Sequence, residues 1–140
     1  MWDELPDHVI FRRPPRFGKS AWIRILTAYY DIAVDEHTRH HYFNNLQIGG
    51  TRPKKTYLIM TFDFTDVAWT FWSHADIRRA VFDSLDLFVH KYKGIVEFGY
   101  DGKNDPDSDP ITAFHDVIKA VKKAGYEVQP EWNCTLGSLC

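Results

Sequence analysis

Nine residues near the amino terminus, Arg12-Arg13-Pro14-Pro15-Arg16-Phe17-Gly18-Lys19-Ser20, constrain this chain more than any other stretch. They end in Gly-Lys-Ser, the second half of the phosphate-cradling pattern G-x-x-x-x-G-K-[ST]. A glycine at position 18 lets the backbone approach a phosphate, where a Cβ would collide or forbid the dihedral. Lys19 brings a positive charge to β- and γ-phosphates, and the Ser20 hydroxyl suits Mg²⁺. A helix starting there turns its free N–H groups and its dipole toward the same anion. The flanks agree: His8-Val9-Ile10-Phe11 reads as a short strand and residues 19–32 as a helix, the strand–loop–helix order that phosphate binding requires. The first glycine of the pattern is replaced by Arg13. Gly-Lys-Ser alone arises by chance in roughly one chain of this length in ten to twenty. The competing account is an exposed, proline-rich basic turn ahead of an ordinary helix.

Composition narrows the classes. A chain of 140 residues makes one domain with room for a core, and 44% hydrophobic residues exclude compositional disorder. The net charge of -2 argues against a general nucleic-acid or membrane-surface binder. No apolar run approaches the ~20 residues of a membrane span, and the acidic start Met1-Trp2-Asp3-Glu4 has no signal-peptide core. An intracellular location, cytoplasmic or nuclear, is therefore expected, with Cys134 and Cys140 as free thiols.

Further along, Trp22, Ile25, Leu26 and Tyr29 form the apolar stripe of the first helix, with Arg24 off it. His37 and His41 stand at i, i+4, a metal-compatible spacing, but without a third ligand nearby they read as a solvated helical face. Tyr57 to Phe64 is a near-continuous apolar run, the mark of a strand buried on both faces. Ser73 and Asp76 predict a capped helix start, continuing to about Tyr92 with Ile77, Val81, Leu85 and Phe88 inward. The polar stretch to Asp109 contains Asp105, Asp107 and Asp109, whose spacing lacks the glycine and glutamate of a calcium loop. Asp109, Pro110 and Gly125 bracket a last helix with Ile111, Phe114, Val117, Ile118 and Val121 on its apolar face. A strand starting at Tyr126-Glu127-Val128 is expected to stop at Gln129-Pro130. Strands separated by helices predict an α/β fold with a parallel sheet.

The loop Arg12 to Ser20 resembles the R-P-R-R-F-G-K-[ST] loop of the AAA-ATPase-like domain, a P-loop family of bacteria and fungi. The resemblance continues through the Tyr29-Tyr30 helix end, the strand closing in Asp63-Phe64, and the helix from Ala113-Phe114-His115 to Tyr126. It implies a three-layer αβα fold of P-loop NTPase type. Arg13, Arg16, Phe17, Gly18, Lys19 and Ser20 would then hold ATP, with Mg²⁺ on Ser20. In the family, the helix ending near Gly125-Tyr126 leads into an apolar strand closed by acidic D-E-Y-D, the Walker B strand. Here Gln129-Pro130-Glu131-Trp132-Asn133-Cys134 follows instead. Residues 1–128 are thus expected to be the amino-terminal part of such a domain, with an incomplete parallel sheet, and 129–140 an irregular tail. Such a truncated chain would be marginally stable, with open strand edges. Asp63, closing an apolar strand, is the remaining candidate for a metal-site acid.

Two functions follow. One is a nucleotide-binding domain whose hydrolysis is impaired. The other is a non-enzymatic module in which Arg12, Arg13, Arg16 and Lys19 bind nucleic-acid phosphates and Phe17 stacks on a base. ATP and oligonucleotide titrations at several salt concentrations distinguish them.

Overall fold

The computed structural model of the protein describes residues 18–49, 51, 53, 55–63, 73–100 and 109–133. The expected strand at 8–12, the loop from Arg12 to Phe17, Asp105, Asp107 and both cysteines lie outside them. The described elements, in chain order, are α1 (Lys19–Tyr30), α2 (Glu36–Phe43), β1 (Leu58–Asp63), α3 (His74–Tyr92), α4 (Pro110–Lys123) and β2 (Val128–Asn133). This mixture of helices with a small parallel sheet is an α/β fold. The chain divides into two compact units, one reaching Tyr57 and the other starting at Leu58.

The first unit is built on α1 and α2. Its core is Leu26, Tyr29, Tyr30 and Phe43, with Ala28, Ile48 and Tyr57 packed against it. The Tyr29 ring meets both Tyr30 and Phe43 edge-on, at centroid distances of 4.9 and 5.3 Å, an arrangement suited to the ring quadrupoles. Two expectations are corrected here. Helix α1 ends at Tyr30 rather than Ile32, because Asp31 turns extended and forms a parallel bridge with Tyr57. Tyr57 donates to the Tyr30 carbonyl at 2.9 Å, and Ile32 donates to the Tyr57 carbonyl at 3.0 Å. The Asp31 carboxylate is buried and accepts the Ala33 N–H. The apolar stripe is also covered only in part, since Leu26 and Tyr29 are buried with Tyr30 while Trp22 and Ile25 are exposed. Packing on α2 decides how much of it is covered. Arg24 is exposed, as are His37, His40 and His41 on α2. No group of three metal-ligating side chains occurs among the described residues.

In the second unit, β1 and β2 pair in parallel from Leu58↔Val128 to Asp63↔Asn133. The crossover between them carries α3 and α4. Leu58, Ile59, Met60 and Phe62 of β1 are all buried, as its apolar run predicts. Helix α3 packs on β1 and on α4, and the Phe114 ring of α4 lies 6.2 Å from that of Phe62. Buried faces comprise Phe82, Leu85, Phe88 and Tyr92 on α3, and Ala113, Val117 and Val121 on α4. Ile77 and Ile111, at the outer ends of the predicted stripes, are exposed.

The helix boundaries follow their signals. The Ser73 hydroxyl accepts the Asp76 N–H, and Asp109 accepts the Thr112 N–H. At the end of α4, Gly125 has φ 81°. Gly125 donates to the Lys122 carbonyl and Tyr126 to the Val121 carbonyl, the paired bonds of a Schellman cap.

The strand at 128 does not stop at Pro130, contrary to expectation, and the segment 129–133 is not irregular. Leu58 donates to the Glu127 carbonyl at 3.0 Å. In a parallel ladder that bond sets the odd-numbered residues of β2 to present their backbone groups to β1. Pro130, opposite Met60, belongs to the even set, so its missing N–H removes no bond to β1. Proline is tolerated in such an edge position.

Candidate phosphate-binding site

Gly18 stands immediately ahead of α1 with φ 73° and ψ 20°, in the left-handed region. An L side chain adopts that conformation at a cost of roughly 1–2 kcal/mol, whereas glycine adopts it freely. A Cβ at this position would meet nothing within 4 Å, so the dihedral and not crowding calls for glycine. The Gly18 carbonyl accepts the Trp22 N–H at 2.9 Å, the first intrahelical bond. The N–H groups of Lys19, Ser20 and Ala21 precede that bond and lie at the positive end of the helix.

What sets α1 apart is how this end is left. Helix α2 is capped by Asp35, α3 by Ser73 and α4 by Asp109, each through a side-chain oxygen. Gly18 has no side chain to offer, and α1 has no acidic residue in its first turn. Among the described residues, no side chain caps the orphan donors at the start of α1, and donors of this kind suit an anion.

The opposite end of α1 is held tightly. Arg39 of α2 donates from Nε to the Tyr29 carbonyl at 2.9 Å. Its Nη2 donates to the Asp31 and Val34 carbonyls at 3.0 and 2.9 Å. A guanidinium at the carboxyl end of a helix meets both the terminal carbonyls and the negative end of the dipole. From the sequence alone, Arg39 is assigned no role. The available signal was its spacing, four residues before the buried Phe43 and so on the same side of α2.

Of the residues expected to form the site, Gly18, Lys19 and Ser20 are brought together in one turn. Their backbone is the opening of α1. Arg13, Arg16 and Phe17 lie outside the described residues. Asp63 is the last residue of β1, opposite Asn133, and belongs to the second unit.

The carboxylates held below their usual range are the two helix caps. Asp35 is lowered first by the Thr38 hydroxyl and then by the Thr38 N–H. Asp109 is lowered first by the Thr112 N–H and then by the Thr112 hydroxyl. Both shifts belong to helix capping.

The chain is thus an α/β chain in which Gly-Lys-Ser opens a helix through a left-handed glycine. A family model described as "Predicted AAA-ATPase" matches residues 3–128. The chain belongs to this AAA-ATPase-like family. No curated protein and no solved structure gives a match. No helix among the described residues is long and apolar enough to cross a membrane.

Proposed function

We propose that the chain binds ATP with Mg²⁺ at the amino-terminal end of α1, as a P-loop domain of three-layer αβα type. The observation that carries this reading is the uncapped start of α1, formed by a left-handed Gly18 and followed at once by Lys19 and Ser20. Lys19 and the first N–H groups of α1 meet the β- and γ-phosphates, and Ser20 ligates the metal. Arg13 and Arg16 add positive charge where the usual first glycine is absent, with Phe17 completing the loop. The donor set fits a magnesium triphosphate: N–H groups and cations for the phosphates, one hydroxyl for the metal.

Turnover is slow in this reading. Mg²⁺-dependent hydrolysis in P-loop enzymes uses a strand-end carboxylate beside the metal. Strand β2, which follows α4, reads Val-Gln-Pro-Glu-Trp-Asn and closes on Asn133. Asp63, closing β1, is the alternative acid.

Calorimetric titration with Mg-ATP tests the binding. Lys19→Ala removes a charge-assisted contact of ~1.5–3 kcal/mol, so affinity falls roughly ten- to a hundredfold. Equal affinity in the two proteins sinks the assignment. Phosphate release with Lys19→Ala as the blank tests turnover, and a Lys19-dependent rate near ~1 s⁻¹, ordinary for an enzyme, would give Asp63 or another acid the missing role.

A further inference from the structure

We propose that Trp22 is the residue against which the base of the bound nucleotide packs. This rests on the reading of Gly18 to Ser20 as a phosphate site and adds the determinant that separates a nucleotide from a bare polyphosphate. Trp22 lies one helical turn beyond the loop, its N–H bonded to the Gly18 carbonyl at 2.9 Å. Side chains on an α-helix tilt toward the amino terminus, so the surface a residue covers lies over the preceding turn. For Trp22 that turn is the one beginning at Gly18, beside which a Cβ would find only open space.

The indole is also exposed in part. Trp22 is 41% exposed, while Leu26 and Tyr29, one and two turns further along the same face of α1, are buried. Among the described residues, no ring or cation contact involves Trp22. Ile25, three residues on and 47% exposed, extends the same apolar strip along the helix. A large, partly exposed aromatic beside a phosphate site provides a π-face on which any base can stack. Triphosphate groups anchored at the start of α1 keep the attached nucleoside within one or two helical turns of that anchor. Stacking of this kind tolerates different bases, so the site is expected to favour nucleotides over inorganic phosphates more than one base over another.

The test is calorimetric titration of the whole chain with Mg-ATP and, separately, with magnesium and inorganic tripolyphosphate. Wild type, Trp22→Ala and Trp22→Phe are compared, with circular dichroism to confirm that each is folded. The proposal expects ATP affinity to fall roughly 5- to 100-fold in Trp22→Ala, tripolyphosphate affinity to stay unchanged, and Trp22→Phe to regain most of the loss. ATP affinity unchanged in Trp22→Ala overturns it. A parallel loss of both ligands overturns it too, since that marks a structural role for the indole. Wild type that binds tripolyphosphate as tightly as ATP overturns the base contact and leaves the phosphate reading standing. Wild type that binds neither removes the phosphate reading and this proposal with it.

Discussion

Arg39 makes three hydrogen bonds to backbone carbonyls that no other side chain is shown to serve, at Tyr29, Asp31 and Val34. Hydrogen bonds from charged donors contribute ~1.5–3 kcal/mol, and removing this one takes a donor from the Tyr29 and Val34 carbonyls, while the Asp31 carbonyl keeps the Val34 N–H. Arg39→Ala is expected to destabilise the chain by about 2–3 kcal/mol in urea unfolding. Arg39→Lys should recover only part of that, because an ammonium cannot reproduce the planar fork that reaches several acceptors. Full recovery by lysine would show that charge near the helix end, and not the hydrogen-bond geometry, is what matters. Asp109 supplies a pH-dependent counterpart at the start of α4. Its oxygen accepts from both the Thr112 N–H and the Thr112 hydroxyl, at 3.1 and 3.0 Å, which favours the charged form and holds the carboxyl below its ordinary range. A carboxylate whose folded pKa is depressed stabilises above the unfolded value, and the contribution is lost as pH falls through the folded one. Asp109→Ala should therefore lower the melting temperature at pH 7, and its gap from wild type should narrow below about pH 4. A gap independent of pH would mean that the carboxylate charge contributes nothing to the cap.

Elements are joined here by contacts that also leave a mutational signature. The Tyr92 hydroxyl of α3 accepts the Ile59 N–H of β1 at 2.9 Å. Ile59 points its backbone away from β2, so this hydroxyl stands where a further strand would otherwise bond. Tyr92→Phe removes the partner of a buried N–H, which costs about 1–3 kcal/mol; an unchanged midpoint in urea would show that the N–H finds another partner. The cap of α4 makes a second case. Gly125 has φ 81°, and a Cβ there would meet nothing within 4 Å. Its replacement by alanine thus isolates the dihedral cost. Gly125→Ala is expected to destabilise by about 1–2 kcal/mol, and Gly125→Asn by less, since asparagine tolerates the left-handed region. Comparable losses for the two would point to crowding instead.

At the scale of the molecule, a ligand that binds only the folded chain raises its stability by mass action. With Mg-ATP at a hundred times its dissociation constant, the gain is about 2.7 kcal/mol. The melting temperature should therefore rise with Mg-ATP concentration in wild type and stay flat in Lys19→Ala over the same range. A rise of equal size in both proteins would show that ATP binds away from α1.

Much of this fold is legible without coordinates because its determinants are local. Ser73, Asp109 and Gly125 mark helix ends by bonds and dihedrals that span three to five residues, and those ends fall where they were expected. The apolar run of β1 is so dense that burial on both faces was the only economical outcome, and the Gly18-Lys19-Ser20 turn carries its own conformational requirement. The family, too, was readable from the loop and the helix ends that follow it. Tertiary structure decided what depends on partners distant in the chain. Where α1 stops is settled by Tyr57, which draws Asp31 into a bridge. How much of the α1 stripe is buried is settled by Phe43 and its neighbours, which cover Tyr29 and leave Trp22 and Ile25 exposed. Whether β2 survives a proline is settled by its register on β1, which turns the missing N–H of Pro130 outward. Propensity and capping act through the backbone within about one turn, whereas register and burial depend on surfaces that meet only after the chain has folded.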